Sequence, residues 1–263
     1  MTAVRGFDLS GRVALVTGGG TGIGRATAIL LAQRGADVAI CGRREDKIAE
    51  AVERVRETGR RGLAIAADVR KPEDCRRLVE RVAGELGRLD ILINNAGGAH
   101  GHVALAAMDL AKWDRDVQLN LSAAMYCSQA ALPRLRESRG CIVNISSLAG
   151  VHGTKGVGAY SAAKAGLQMF TRVASSEWGP YGIRVNAIAC GMIATEAARS
   201  GWEKSGFDAV GISRHAFALG RYGEMDEAAQ AIVFMASDAA SYISGETLAV
   251  GGGPKLGGMV ELD

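Results

Sequence analysis

Tyr160-Ser161-Ala162-Ala163-Lys164 sets a phenol and an ammonium four residues apart. On a helix that spacing brings both side chains to one face, one turn from each other. A free phenol titrates near pH 10 and is a poor acid–base group at neutral pH. A neighbouring ammonium favours the phenolate and draws that value down, as a general acid/base requires. Tyr and Lys at this spacing also occur on ordinary amphipathic helices, so the pair alone does not decide. Two hydroxyls upstream strengthen the chemical reading. Ser146 and Ser147 close an apolar run, Ser147 thirteen residues before Tyr160. Either can hydrogen-bond a substrate oxygen whose proton Tyr160 gives or takes.

A second stretch concerns anions. The apolar Val13–Val16 leads into Thr17-Gly18-Gly19-Gly20-Thr21-Gly22-Ile23-Gly24, and then into the helical pattern RATAILLAQ. A strand, a glycine turn and a helix start make an anion site, because free backbone N–H groups and the helix dipole face one point. Glycine is needed where a side chain would hold a pyrophosphate away or keep the helix off the sheet. Glycine turns also occur without ligands, but on the first strand of a βαβ unit nucleotide binding is the better reading.

These groups need a frame. Short apolar runs at Arg12–Thr17, Asp37–Cys41, Leu63–Ala67, Ile91–Asn94, Cys141–Ile145, Arg184–Ile188 and Thr247–Val250 read as strands. Helical patterns lie between them near Gly22–Gln33, Arg44–Glu57, Lys71–Leu86, Leu110–Leu135, Tyr160–Trp178 and Asp226–Ala236. Strands that are continuously apolar suit a parallel sheet buried on both faces. The expectation is an α/β, Rossmann-type doubly wound fold: a seven-stranded, mostly parallel sheet with helices on both faces. No repeat or linker interrupts it, so residues 1–263 read as a single domain. Met192–Leu219 breaks the alternation and reads as helical pieces in a flexible substrate flap.

In order and approximate spacing these motifs resemble the short-chain dehydrogenase/reductase family. T-G-x-x-x-G-x-G at Thr17–Gly24 is followed by Asn94-Asn95-Ala96-Gly97, Asn120, Ser147 and Tyr160-x-x-x-Lys164. The likeness runs from about Val13 to Gly253. It implies a nicotinamide-dependent oxidoreductase that moves a hydride between the cofactor and a carbonyl or secondary alcohol. In that scheme Tyr160 exchanges the proton, Ser147 rather than Ser146 holds the substrate oxygen, and Lys164 tunes Tyr160 and binds the nicotinamide ribose. Asn120 anchors a water beside Lys164. Cofactor contacts are implied for Gly18, Gly20, Thr21, Gly22, Ile23, Gly24, Asp68, Val69, Asn95, Ala96, Gly97, Tyr160, Lys164, Gly191, Ile193 and Thr195. Gly42 stands where the family usually carries the acid that binds the 2′-OH of NAD. Arg43 and Arg44 follow it and suit a 2′-phosphate, so NADP(H) is favoured over NAD(H). The plainer readings are a solvated helix start for both arginines, paired with Glu45 and Asp46, and a helix N-cap for Asp68. Cys190 replaces a usual proline and reads as a small buried filler. Gly251 replaces an Asp, and Met225 a common Pro.

Composition narrows the partners. Net charge is +3 and the basic residues are spread; Arg54–Arg61 is interleaved with Glu53 and Glu57. Nucleic acid is therefore an unfavoured partner. Five widely spaced cysteines without C-x-x-C point to reduced thiols rather than disulfides or zinc. No signal sequence or long apolar run is read, which suits a cytoplasmic protein without membrane contact. His100, His102 and His152 fall short of a metal signature and suit the rim of a substrate cleft. Trp113 reads as core. Alanine-rich, apolar faces on Leu110–Leu135 and Tyr160–Trp178 need cover, and in the resembled family they pair across subunits, so a homotetramer, or at least a homodimer, is expected. Two other functions fit less well. An enoyl- or dienoyl-CoA type reductase of the same family would reduce a C=C bond, and some such members lack the Ser/Tyr/Lys set. A non-catalytic nucleotide sensor would have no need of it.

Overall fold

The computed structural model describes residues 6–99 and 101–253. Seven parallel strands form one sheet in the order β3-β2-β1-β4-β5-β6-β7. They are β1 (Val13–Thr17), β2 (Asp37–Gly42), β3 (Gly62–Ala66), β4 (Ile91–Asn94), β5 (Cys141–Ser147), β6 (Arg184–Cys190) and β7 (Thr247–Val250). All seven expected strands are present, and every pairing is parallel. Strand order reverses between β1 and β4, which opens a crevice at their C-terminal ends where such sheets take ligands.

Side chains along a strand alternate between faces, and each face of the sheet has its own core. Ala14 and Val16 of β1 point to one, with Ile91 and Ile93 of β4. That face is covered by α1 (Gly22–Gln33), α2 (Glu45–Arg56) and α10 (Met225–Ala236), through Ala28, Leu31, Ile48, Val52 and Ile232. Val13, Leu15 and Leu92 point the other way, into Leu78, Val82, Ala131 and Leu135. Those come from α3 (Pro72–Leu86) and α5 (Ala123–Ser138), with α7 (Gly158–Trp178) beside them. The central strands are buried except at an end residue of β2, β5 and β6. The two edge strands are not: β3 and β7 carry partly exposed residues, and Leu248 of β7 is 37 % exposed. Continuous apolarity therefore does not mean burial at a sheet edge, where one flank has no neighbour.

The helix expected at Leu110–Leu135 is interrupted. It splits into α4 (Leu110–Val117), a π-helical turn over Gln118–Ser122, and α5. Apolar periodicity spans such a turn, because one extra residue displaces the pattern only slightly. Trp113 on α4 is half-buried rather than core, since α4 lies at the rim of the sheet. The 192–219 segment forms two helices, α8 (Glu196–Ser205) and α9 (Ala209–Ala216), after the four-residue α6 (Ala149–His152) has closed β5.

Two departures from the resembled pattern have packing reasons. A Cβ at Gly251 would lie 2.4 Å from Leu148 Cδ1, and one at Gly191 would lie 2.7 Å from the Gly251 Cα. Leu148 fills the space an aspartate would need. Met225 occupies the first turn of α10, a position that proline tolerates but does not have to supply. The start of that helix is secured by a reciprocal pair of bonds between Glu224 and Glu227.

Candidate active site

The glycine turn follows β1 directly, and its shape depends on missing side chains. Gly18 and Gly22 have φ of +63° and +60°. A Cβ on Gly24 would sit 2.4 Å from Asn95 Nδ2 and 2.6 Å from the Gly18 carbonyl. The turn is braced from β4. The Asn95 amide donates to the Thr17 and Gly18 carbonyls at 2.9 and 3.1 Å, and the N–H groups of Asn95 and Ala96 donate to Thr17 Oγ1 at 3.0 Å. Asn95 thus holds the turn itself. The N–H groups of Ile23 and Gly24, at the start of α1, have no intrahelical acceptor by the geometry of a helix start. This is a cradle that a Cβ would fill and that a phosphate suits.

At the end of β2, Arg44 donates to Thr21 Oγ1 at 3.2 Å, so its guanidinium lies on the glycine turn. Arg43 is exposed; the Asp68 carboxyl is held below its usual range mainly by its hydrogen bonds with Arg70, with a smaller contribution from the Arg43 charge. Both arginines are exposed at the start of α2, as the plainer reading has them, but among the described residues neither pairs with Glu45 or Asp46. Asp68 is no helix cap either: α3 is capped by Lys71, and the Asp68 carboxylate is gripped by Arg70 at 2.6–3.1 Å. Val69 beside it is buried. Together the glycine cradle and the free N–H groups fit a nicotinamide dinucleotide.

The chemical groups converge where β4, β5 and α7 meet. Tyr160 and Lys164 share one face of α7, with Nζ 5.6 Å from the centre of the phenol ring. Lys164 is only 4 % exposed, and Nζ donates to the Ile145 carbonyl at 2.7 Å. Burial lowers its pKa to about 8. Tyr160 is shifted the other way: burial raises its pKa, and only its hydrogen bond with Ser147 opposes the rise. The simple expectation that the ammonium depresses the phenol is therefore corrected. Desolvation acts on both groups, and Nζ is engaged by a backbone carbonyl instead.

Ser147, the last residue of β5, is half-buried beside Tyr160, and its hydroxyl also accepts the Ala149 N–H at 3.1 Å. Ser146 points the other way, its hydroxyl donating to the Lys164 carbonyl at 3.1 Å. By strand alternation the two serines face opposite ways, and Ser146 is the buried one. Asn120 sits in the π turn, a distortion that often marks functional positions. Its Oδ1 accepts the Gly98 N–H at 2.9 Å, and its Nδ2 donates to the carbonyls of Gly98 and Asp116. Gly97 packs between Asn120 and Lys164; a Cβ there would meet Asn120 Oδ1 at 2.7 Å and Nζ at 3.1 Å.

On the far side, β6 ends at Cys190, paired in register with Ser147. Cys190 is buried and its thiol is pushed up to about 12, which leaves it a filler. Gly191 packs on Gly251, Ile193 bridges Gly223, and Thr195 caps α8 by accepting the Ala198 N–H. His102 lines a cavity of about 240 Å³ with Tyr160, Lys112 and Asp116, whereas His152 is exposed on α6. His100 lies outside the described residues.

Several supporting residues gave no sequence signal. Gln168 donates to Ser146 Oγ at 2.9 Å and to the Ser147 carbonyl at 3.2 Å. Beneath it Asn144 donates to Thr171 Oγ1, and Asn94 donates to Asn144 Oδ1 and Ser128 Oγ. This buried polar ladder ties β4, β5, α5 and α7 together under the site. Asn94 belongs to the Asn94–Gly97 motif, and Gln168 continues the stripe of Tyr160 and Lys164 by one more turn; the others carry no such mark.

The chain matches the family model described as Enoyl-(Acyl carrier protein) reductase over residues 18–255. It is 40 % identical, over 92 % of its length and 96 % of the relative's, to the cis-4-hydroxycyclohexanecarboxylate dehydrogenase of Sinomonas cyclohexanicum. It is 37 % identical to the 2-dehydro-3-deoxy-D-gluconate 5-dehydrogenase of Escherichia coli (strain K12), over 94 % of the chain and 96 % of the relative. Among solved structures, a putative short-chain alcohol dehydrogenase from Sinorhizobium meliloti 1021 superposes with a TM-score of 0.89 at 38 % identity, covering 94 % of this chain and 98 % of that one.

Proposed function

From its membership of the short-chain dehydrogenase/reductase family, and from the meeting of Ser147, Tyr160 and Lys164 beside the glycine turn, we propose the roles of this chain's residues. The protein is a nicotinamide-dependent oxidoreductase acting on a hydroxyl or carbonyl group of a small molecule. The relatives named above are dehydrogenases, so carbon–oxygen rather than carbon–carbon double-bond chemistry is the reading kept. When bound, the nicotinamide supplies or accepts the hydride.

Tyr160 is the general acid/base. Its buried phenol is protonated at neutral pH, the form that donates to the oxygen of a carbonyl being reduced. Ser147 holds that oxygen through its hydroxyl. Lys164, with a pKa of about 8, carries a charge beside the phenol that stabilises negative charge developing on either oxygen. Asn120 fixes the Gly97–Gly98 segment against Lys164. Its Oδ1 has one acceptor position left for the water that the family resemblance places there. Gly18, Gly20, Thr21, Gly22, Ile23 and Gly24 receive the diphosphate; Asp68, Val69, Asn95, Ala96 and Gly97 line the cleft. Gly191, Ile193 and Thr195 face the nicotinamide end. NADP(H) is preferred, because among the described residues neither Arg43 nor Arg44 pairs with Glu45 or Asp46, and Gly42 offers no carboxylate to repel a 2′-phosphate.

The whole chain works as one unit, with 192–219 as the flap over the substrate. The substrate is a secondary alcohol or ketone on a compact skeleton, as in the names of the relatives. The protein assembles as a homotetramer or homodimer. Met125, Met169 and Val173 leave an exposed apolar face on α5 and α7, and β7 leaves another edge. No described helix is long and apolar enough to cross a membrane. The observation that carries the reading is the Ser147–Tyr160–Lys164 convergence, and Tyr160→Phe tests it. Turnover of a panel of ketones and alcohols should fall by about 10²–10⁴-fold while NADPH still binds by fluorescence. Undiminished turnover in that variant rejects the assignment.

A further inference from the structure

Arg25 and Glu196 have no part in the chemistry described above, yet they join the two walls of the cleft. Arg25 lies in the first turn of α1, and Glu196 opens α8 at the base of the flap, 171 residues away. The Glu196 carboxylate pairs with the Arg25 guanidinium, and its Oε2 accepts the Gly22 N–H at 3.1 Å. The neighbouring Thr195 methyl rests on the glycine turn: a Cβ on Gly22 would lie 3.4 Å from Thr195 Cγ2. One turn further along α8, Arg199 grips the Glu224 carboxylate through both oxygens at 2.9 Å. The flap base is thus fastened at two points, one on α10 and one on the cofactor cradle.

We propose that Glu196 and Arg25 form a clasp that closes the flap over the bound dinucleotide and governs how fast it leaves, a proposal that rests on the cleft being a dinucleotide site. Two features make the clasp compatible with a diphosphate next to it. Arg25 neutralises the carboxylate, so no lone negative charge faces the phosphates. Of the opening donors of α1, Glu196 uses that of Gly22, while those of Ile23 and Gly24 still need an acceptor. The same contact seats Thr195 against the turn, so clasp closure and positioning of the nicotinamide end are one event. The alternative is a competitor, in which Glu196 occupies the anion site and must be expelled. The two predict opposite signs.

The experiment follows release of NADPH by fluorescence in a stopped-flow chase, with NADH run in parallel. The proteins are wild type, Glu196→Gln, Arg25→Met, the double variant and the charge-reversed Arg25→Glu/Glu196→Arg. A partly exposed ion pair with a charge-assisted backbone bond is worth about a three- to tenfold change. Each single variant should release NADPH faster by that factor, the double variant no faster than the singles, and the reversed pair should regain part of the loss. Chymotryptic cleavage at Trp202 or Phe207 of the NADPH-bound protein should accelerate in the singles. Unchanged release and cleavage overturn the clasp, and slower release from Glu196→Gln overturns it in favour of the competitor. If wild type binds neither nucleotide, the dinucleotide reading fails first.

Discussion

Lys164→Met should make the protein more stable at neutral pH while removing its activity. Lys164 is almost wholly buried and titrates at about 8 against 10.5 in an open chain. Holding the proton below pH 8 therefore costs the folded state about 3 kcal/mol. Methionine is of similar length and fills the same channel, with a repacking cost of about 1 kcal/mol or less. The bond from Nζ to the Ile145 carbonyl is lost, at about 1 kcal/mol. The balance is a gain of about 1–2 kcal/mol at pH 7. Its pH dependence is the sharper test. Between pH 8 and 10.5 the unfolded chain still holds a proton that the folded chain has released, so the parent gains stability as pH rises through that window. The advantage of Lys164→Met should shrink by about 3 kcal/mol over the same window and change sign near its middle, at about pH 9. Urea unfolding of both proteins at pH 7, 8, 9 and 10.5, compared at equal m-values, measures it. A difference that stays flat across these pH values would show that burial of the lysine charge is not costly, and the argument would be wrong.

Other outcomes follow from the same geometry. Because burial keeps the Tyr160 phenol protonated, alcohol oxidation should rise with pH into the alkaline range while ketone reduction falls; parallel profiles in the two directions would contradict the assigned role. Gly42→Asp places a carboxylate beside Arg43, with only Ile48 Cγ2, 3.0 Å from the new Cβ, to give way. It should weaken NADPH relative to NADH by about 10- to 100-fold in fluorescence titration, and an unaltered preference would remove Arg43 and Arg44 from the 2′-phosphate. Met169→Glu with Val173→Glu charges the exposed face of α7 and should lower the sedimentation mass to a smaller assembly, whereas an unchanged mass would exclude that face as an interface.

Some of the protein is determined by local pattern. Each strand is a short apolar run between turn residues, and each parallel pair needs a helix to return the chain, so strand number, order of elements and fold class follow from sequence alone. The glycine turn is legible for the same reason: Gly18 is favoured by its positive φ, and Gly24 by the close approach of Asn95 and the Gly18 carbonyl. The i, i+4 spacing placed Tyr160 and Lys164 on one face of a helix.

What the tertiary structure decided depends on neighbours distant in the chain. Spacing suggested that the ammonium would lower the phenol, but burial in the fold moves Lys164 down and Tyr160 up. The direction of a pKa shift depends on solvent and on the nearest acceptor, here the Ile145 carbonyl, and neither is encoded in the separation of two residues. Trp113 left the core and the long helix acquired a π turn, because the rim of the sheet and the fit of Asn120 to Gly98 are three-dimensional facts. Asn144 and Thr171 give no local sign, since polar residues in apolar segments acquire meaning only from partners brought across the sheet. Arg25 and Glu196 are the extreme case. Only the winding of the chain brings that carboxylate to the start of the first helix, where its charge can act on the cofactor cleft.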